Sequence, residues 1–63
     1  MHPDAAELSS ITTVVADIAR RIGDVAERRA SDPEDPLIAR LHEIERALIT
    51  VERRLHDVGR ALD

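Results

Sequence analysis

The chain has 63 residues and no cysteine, so it is too short to rely on a large hydrophobic core and cannot form a disulfide. Oligomerisation is then the remaining usual means of stabilising so small a domain. The net charge is −4 and Phe, Trp and Tyr are absent, which excludes aromatic stacking on bases or sugars and argues against nucleic acid as a partner.

The choice of polar residues is restricted. All nine basic residues are Arg, and Lys, Asn and Gln are absent. This composition is typical of a GC-rich bacterial genome, although a restricted design alphabet would produce the same composition. No apolar run approaches the roughly 20 residues of a membrane span, and the first residues lack the basic-then-apolar order of a signal peptide. We therefore expect a cytoplasmic protein without a membrane span.

The first predicted helix covers residues 4–30, after a tail at residues 1–3. Asp4 followed by Glu7 fits a capping box, with Pro3 just outside the helix. Apolar residues then recur alternately three and four positions apart, which is the spacing of one helix face. With Leu8 at position a of a heptad abcdefg, positions a and d are filled by Leu8, Ile11, Val15, Ile18, Ile22 and Val25.

Position e of this helix holds only small residues, which are Ala5, Thr12, Ala19 and Ala26. Small side chains beside an apolar stripe let a second helix approach closely and widen the buried face. The alternative is that alanine serves here as a good helix former on the surface.

An acidic, proline-containing turn is predicted at residues 31–35. Asp35 fits an N-cap and Pro36 the first helical position, where the missing N–H of proline costs least. A start at Asp32-Pro33 would place Pro36 inside the first turn. The second helix is therefore predicted over residues 36–62, nearly equal in length to the first.

The second helix carries an unbroken heptad pattern. Positions a and d are filled by Leu37, Leu41, Ile44, Leu48, Val51, Leu55, Val58 and Leu62, with Leu41 at position a. Leucine at a and mainly β-branched residues at d favour four strands over two in parallel coiled coils. Charged flanks, Glu45 and Glu52 at e with Arg40 and Arg54 at g, are expected to select partner and orientation.

Together these patterns predict an all-α helix-loop-helix hairpin, an antiparallel coiled coil that homodimerises into a four-helix bundle. Two apolar residues, Val14 and Ile49, lie outside the stripes and would share one level of the hairpin. They either mark a second interface or are ordinary surface residues.

No group of residues predicts catalysis, a cofactor or a metal. His42 and His56 lie fourteen residues apart on one helix face, about 21 Å at 1.5 Å per residue, so one chain cannot bring both to one ion. No histidine or carboxylate occupies an a or d position. We expect neither an enzyme nor a metal site.

The segment Glu52-Arg53-Arg54-Leu55-His56-Asp57-Val58 resembles the phospho-acceptor box of one class of sensor histidine kinases. The resemblance implies a phospho-acceptor role for His56, with Asp57 as its acidic neighbour. In that family the box opens the helical hairpin, whereas here it lies late in the second helix. Phosphotransfer or metal binding through His56 or His42 is therefore kept only as an alternative.

The Leu-, Ala-, Arg- and acid-rich hairpin with its Ser31-Asp32-Pro33-Glu34-Asp35-Pro36 break is similar to the docking segments of modular polyketide synthases of actinobacteria. That similarity implies helix-mediated dimerisation that brings larger partners together. Our interpretation is a non-enzymatic dimerisation or assembly module. The alternative within the same class is a small accessory subunit that docks on a larger enzyme, secretion or transcription partner.

Replacing Leu48 by Asp is expected to unfold or dissociate the protein, because an unpaired charge would enter the middle of the apolar stripe. Circular dichroism and mass measured together test this, and an unchanged result for both would contradict the stripe. Ile49→Asp is the matched change outside the stripe and should leave the hairpin folded.

Overall fold

The computed structural model describes residues 2–62 and consists of two helices that pack against each other. Helix α1 spans Pro3–Arg29 and helix α2 spans Leu37–Ala61. The Cα atoms form a rod of 48 × 13 × 9 Å. The predicted all-α helical hairpin is thereby confirmed. Within the described part of the chain, neither helix combines the length and the apolar composition that crossing a membrane requires.

The beginning of α1 differs from the expectation. His2 rather than Asp4 occupies the N-cap, and its Nδ1 accepts a hydrogen bond from the Asp4 N–H at 3.0 Å. Pro3 is the first helical residue, a position that suits its fixed φ and its missing N–H. Asp4 instead places its charge in the first turn, near the positive end of the helix dipole. Met1, the first residue of the predicted tail, lies outside the described residues.

The connection between the helices is tight and acidic. Helix α2 begins at Leu37, one residue later than predicted, and Pro36 rather than Asp35 occupies its N-cap. The Asp35 carboxylate accepts the Leu37 N–H at 2.9 Å from the position before the N-cap. Its other oxygen accepts a bond from Arg29 Nη1 at 2.8 Å. Asp32 stabilises the middle of the turn by accepting the Glu34 N–H. Asp35 therefore ties the end of α1 to the start of α2.

The hairpin has a narrow core. Among residues 2–62, only Ala5, Ala19 and Ala26 are buried, with 8%, 5% and 1% of their surface exposed, and no large side chain is fully buried. A two-layer arrangement of helices normally encloses large apolar side chains between its layers. In residues 2–62, α1 and α2 lie side by side and form only one such layer.

Asp35→Asn should destabilise the hairpin at neutral pH and remove part of its acid sensitivity. The Leu37 N–H and Arg29 hold the pKa of Asp35 below its ordinary value. The unfolded chain therefore takes up the proton more readily. The stabilisation is present above the unfolded pKa of about 3.9 and is lost as the pH falls through the lower folded pKa.

Thermal unfolding followed by circular dichroism across pH 7 to pH 2 measures this effect. The melting temperatures of the parent and Asp35→Asn should differ at pH 7 and converge in acid. Glu34→Gln changes a carboxylate in the same turn that forms no ion pair within residues 2–62. An equal response of the two variants would contradict the role of Asp35.

Candidate interaction surface

The seam between the two helices consists of positions a and e. On α1 these less exposed positions are Ala5, Leu8, Thr12, Val15, Ala19, Ile22 and Ala26. On α2 they are Ile38, Leu41, Glu45, Leu48, Glu52, Leu55, Gly59 and Leu62. Both series alternate in steps of three and four, so each helix turns one continuous face to the other. The small residues at position e of α1 are therefore part of the helix contact.

The d positions lie outside this seam. In an antiparallel pair that turns positions a and e inward, the d positions of both helices project from the same side. Asp4, at the first d position of α1, is exposed. Of the seven apolar d side chains, six are between 37% and 51% exposed, and Val25 is half-buried. We call this surface the d face, and it comprises Ile11, Ile18, Val25, Leu37, Ile44, Val51 and Val58.

Position g forms the rim of the d face. A shallow depression lined by Ile18, Val25, Arg21 and Arg28 shows that the two arginines border the apolar side chains. The complete rim is Glu7, Val14, Arg21 and Arg28 on α1, with Arg40, Ala47, Arg54 and Ala61 on α2. Val14 is 58% exposed and extends the apolar surface outward.

Charge is unevenly distributed along this rim. Arg21, Arg28 and Arg40 lie in the half of the rod that contains the turn, whereas Glu7 and Arg54 lie in the half that contains the chain ends. The apolar residues of the d face thus recur regularly along both helices, whereas the charged residues of the rim are concentrated near the turn.

Several rim charges have no partner within the described hairpin. The ion pairs among residues 2–62 join neighbours on one helix, such as Arg20 with Asp17 and Arg60 with Asp57, or join Arg29 to the turn. The hydrogen bond that Arg20 donates to the Asp17 carboxylate raises the pKa of Arg20. None of these pairs involves the charged rim residues Glu7, Arg28, Arg40 and Arg54.

The opposite side of the hairpin carries polar residues, and its apolar residues do not form a continuous stripe. It carries position b of both helices, namely Ser9, Ala16, Gly23, His42, Ile49 and His56. Shallow grooves there are lined by residues of both helices, including Ser9 with His56 and Gly23 with His42. Ile49 is 40% exposed and stands between the two histidines. Val14 and Ile49, which were expected to share a level, therefore belong to opposite sides and do not form one patch.

The two histidines on this polar side lie far apart along α2. His42 Nδ1 lies 3.4 Å from Glu45 Oε1, and both His42 and His56 are exposed. Across residues 2–62, no three His, Asp or Glu side chains come close enough together to hold a metal ion.

Sequence patterning grouped positions a and d and left Ile38 out of the interface set. Ile38 opens the series 38, 41, 45, 48 at the start of α2, and that spacing could have identified it. Glu45 and Glu52 were assigned to the flank but lie half-buried in the seam, and the Glu45 carboxylate lies close to Gly23 of α1. Long carboxylate side chains can take such positions because their stems pack while their heads reach water.

Comparison with protein-family models, with curated proteins and with solved structures finds no match for this chain. The function of the d face is therefore inferred from its residues and its geometry.

The two glycines provide a matched test of packing between the helices. A Cβ at Gly59 would meet nothing within 4 Å, so Gly59→Ala should stabilise the hairpin by about 0.5–1 kcal/mol. A Cβ at Gly23 would lie 2.5 Å from Glu45 Oε2, so the Glu45 side chain must move and Gly23→Ala should gain less. Urea unfolding at equal protein concentration compares the two variants. A larger gain at Gly23 would contradict the close contact with Glu45.

Proposed function

We propose that this protein is a homodimerisation module without catalytic activity, in which two hairpins join through their d faces into a four-helix bundle and bring larger partners together. The observation that carries the proposal is the lack of any large buried side chain in residues 2–62, where only three alanines are buried. A second hairpin on the d face would supply the missing layer.

The solvent-accessible area of the hairpin supports a second hairpin as its partner. A compact monomer of 7.0 kDa is expected to expose about 4,000 Å², whereas this hairpin exposes 4902 Å². A face 48 Å long and about two helix diameters wide has a footprint on the order of 900 Å². That is comparable with the ~800 Å² that each partner contributes to a standard stable interface.

The chemistry of the d face supports another helical surface as its occupant. All seven residues are aliphatic and recur every seven positions along both helices. Such a pattern packs knobs into holes with a similar pattern. The charged rim remains at the edge of such an interface, where charges influence specificity and association rate more than affinity.

The decisive variant is Ile44→Glu, with Ile49→Glu as its matched control. Both are isoleucines on α2 with similar exposure, 48% and 40%, but only Ile44 belongs to the d face. Ile44→Glu should lower the mass from two chains to one, with loss of helicity, because a carboxylate would be buried at the interface. Ile49→Glu should keep the mass of the parent.

Light scattering over a hundredfold dilution, with helicity followed in parallel, provides the measurement. A parent protein that stays monomeric at every concentration would overturn the proposal. So would an Ile44→Glu variant that dimerises as well as the parent.

A further inference from the structure

We propose that the two hairpins pair with their turns at opposite ends, so that α1 packs on α1 and α2 on α2, with Glu7 of each copy beside Arg28 of the other. This inference rests on the proposed dimerisation through the d face. Two-fold pairing of that face allows two arrangements. An axis along the rod places both turns at the same end, and an axis across the rod places them at opposite ends.

The positions of the apolar residues fit an axis across the rod. The d residues of α1 are centred on Ile18, and those of α2 are centred between residues 47 and 48. Ala5 and Gly59 line one groove, and Arg29 bonds Asp35. In both pairs the residue numbers add to the same value, so residue 18 of α1 lies level with about residue 46 of α2. The two centres therefore differ by only about 2 Å along the rod at 1.5 Å per residue.

Because the centres nearly coincide, one axis superposes both stripes on their copies. Ile18 then meets Ile18 of the second copy, and Ile11 meets Val25. On α2, Ile44 meets Val51 and Leu37 meets Val58. Every residue of the d face thereby gains an apolar counterpart, without a shift that leaves one end of a stripe uncovered.

The rim charges favour the same arrangement. Glu7 and Arg28 stand symmetrically about the level of the axis and have no ion pair within residues 2–62. With turns at opposite ends, each Glu7 meets the Arg28 of the other copy, which gives two such contacts per dimer. With turns at the same end, Arg21, Arg28 and Arg40 of both copies crowd around one end of the bundle, where like charges repel.

One kind of like-charged contact remains in the proposed arrangement, and the two-fold axis produces it twice per dimer. Arg40 lies opposite Arg54 of the second copy along the α2 rim. With turns at the same end, Arg54 instead lies near Glu7 of the second copy. Arg54→Glu therefore distinguishes the two arrangements by the sign of its effect.

For turns at opposite ends, Arg54→Glu should tighten the dimer by about two- to tenfold in dissociation constant at low salt, because the new carboxylate faces Arg40. For turns at the same end it should weaken the dimer, because the new carboxylate faces Glu7. Sedimentation equilibrium measures the constant. Weakening by this variant would overturn the inference.

Disulfide trapping provides an independent readout, since the chain has no cysteine of its own. Ile18→Cys alone should form a linked homodimer under a glutathione redox buffer, because its Cβ atoms approach across the axis. With turns at the same end, residue 18 lies near Ile44 of the second copy. Linking would then require a mixture of Ile18→Cys and Ile44→Cys chains.

Failure of the inference is distinguishable from failure of the proposed function. A dimer that links only in the mixture would overturn the orientation and retain dimerisation through the d face. A parent chain that is monomeric throughout would overturn both.

Discussion

The contact on which the rest of the structure depends is the close approach of α2 to the small residues of α1. Ala5, Ala19 and Ala26 are the most buried side chains of the hairpin, and they lie at position e rather than at a or d. Alanine costs almost no side-chain entropy on burial and allows helix axes to approach closely. By drawing position e into the seam, these alanines rotate both helices and turn the d residues outward.

That rotation divides one apolar pattern into two surfaces. The leucines at position a of α2 pack within the hairpin, whereas Ile44, Val51 and Val58 at position d remain exposed. These three β-branched side chains of α2 face away from the seam, and they lose little rotamer freedom when a second surface covers them. Folding within the chain and association between chains use different residues, yet both surfaces lie on the same short helices. In the proposed assembly, stability and association are therefore linked.

Charges have a different role from apolar contacts in this molecule. Within residues 2–62, ion pairs stabilise single helices or the turn, and none joins α1 to α2. Exposed pairs of this kind contribute little to stability. Asp35 differs from the other charged residues because it contacts both the end of α1 and the start of α2. The unpaired charges on the rim are consistent with selection among orientations of a partner.

The sequence by itself determined the two helices and the acidic turn between them, because heptad spacing and proline placement are local properties of the chain. It misplaced both N-caps. In α1 the preference of Pro3 for the first helical position outweighed the capping box of Asp4, and in α2 Pro36 rather than Asp35 occupies the N-cap. Only the tertiary structure decided that positions a and e form the seam, that Ile38 belongs to it, and that Val14 and Ile49 lie on opposite sides. Helical periodicity defines which residues share a stripe, but the rotation of each helix about its axis depends on side-chain volumes on both helices at once.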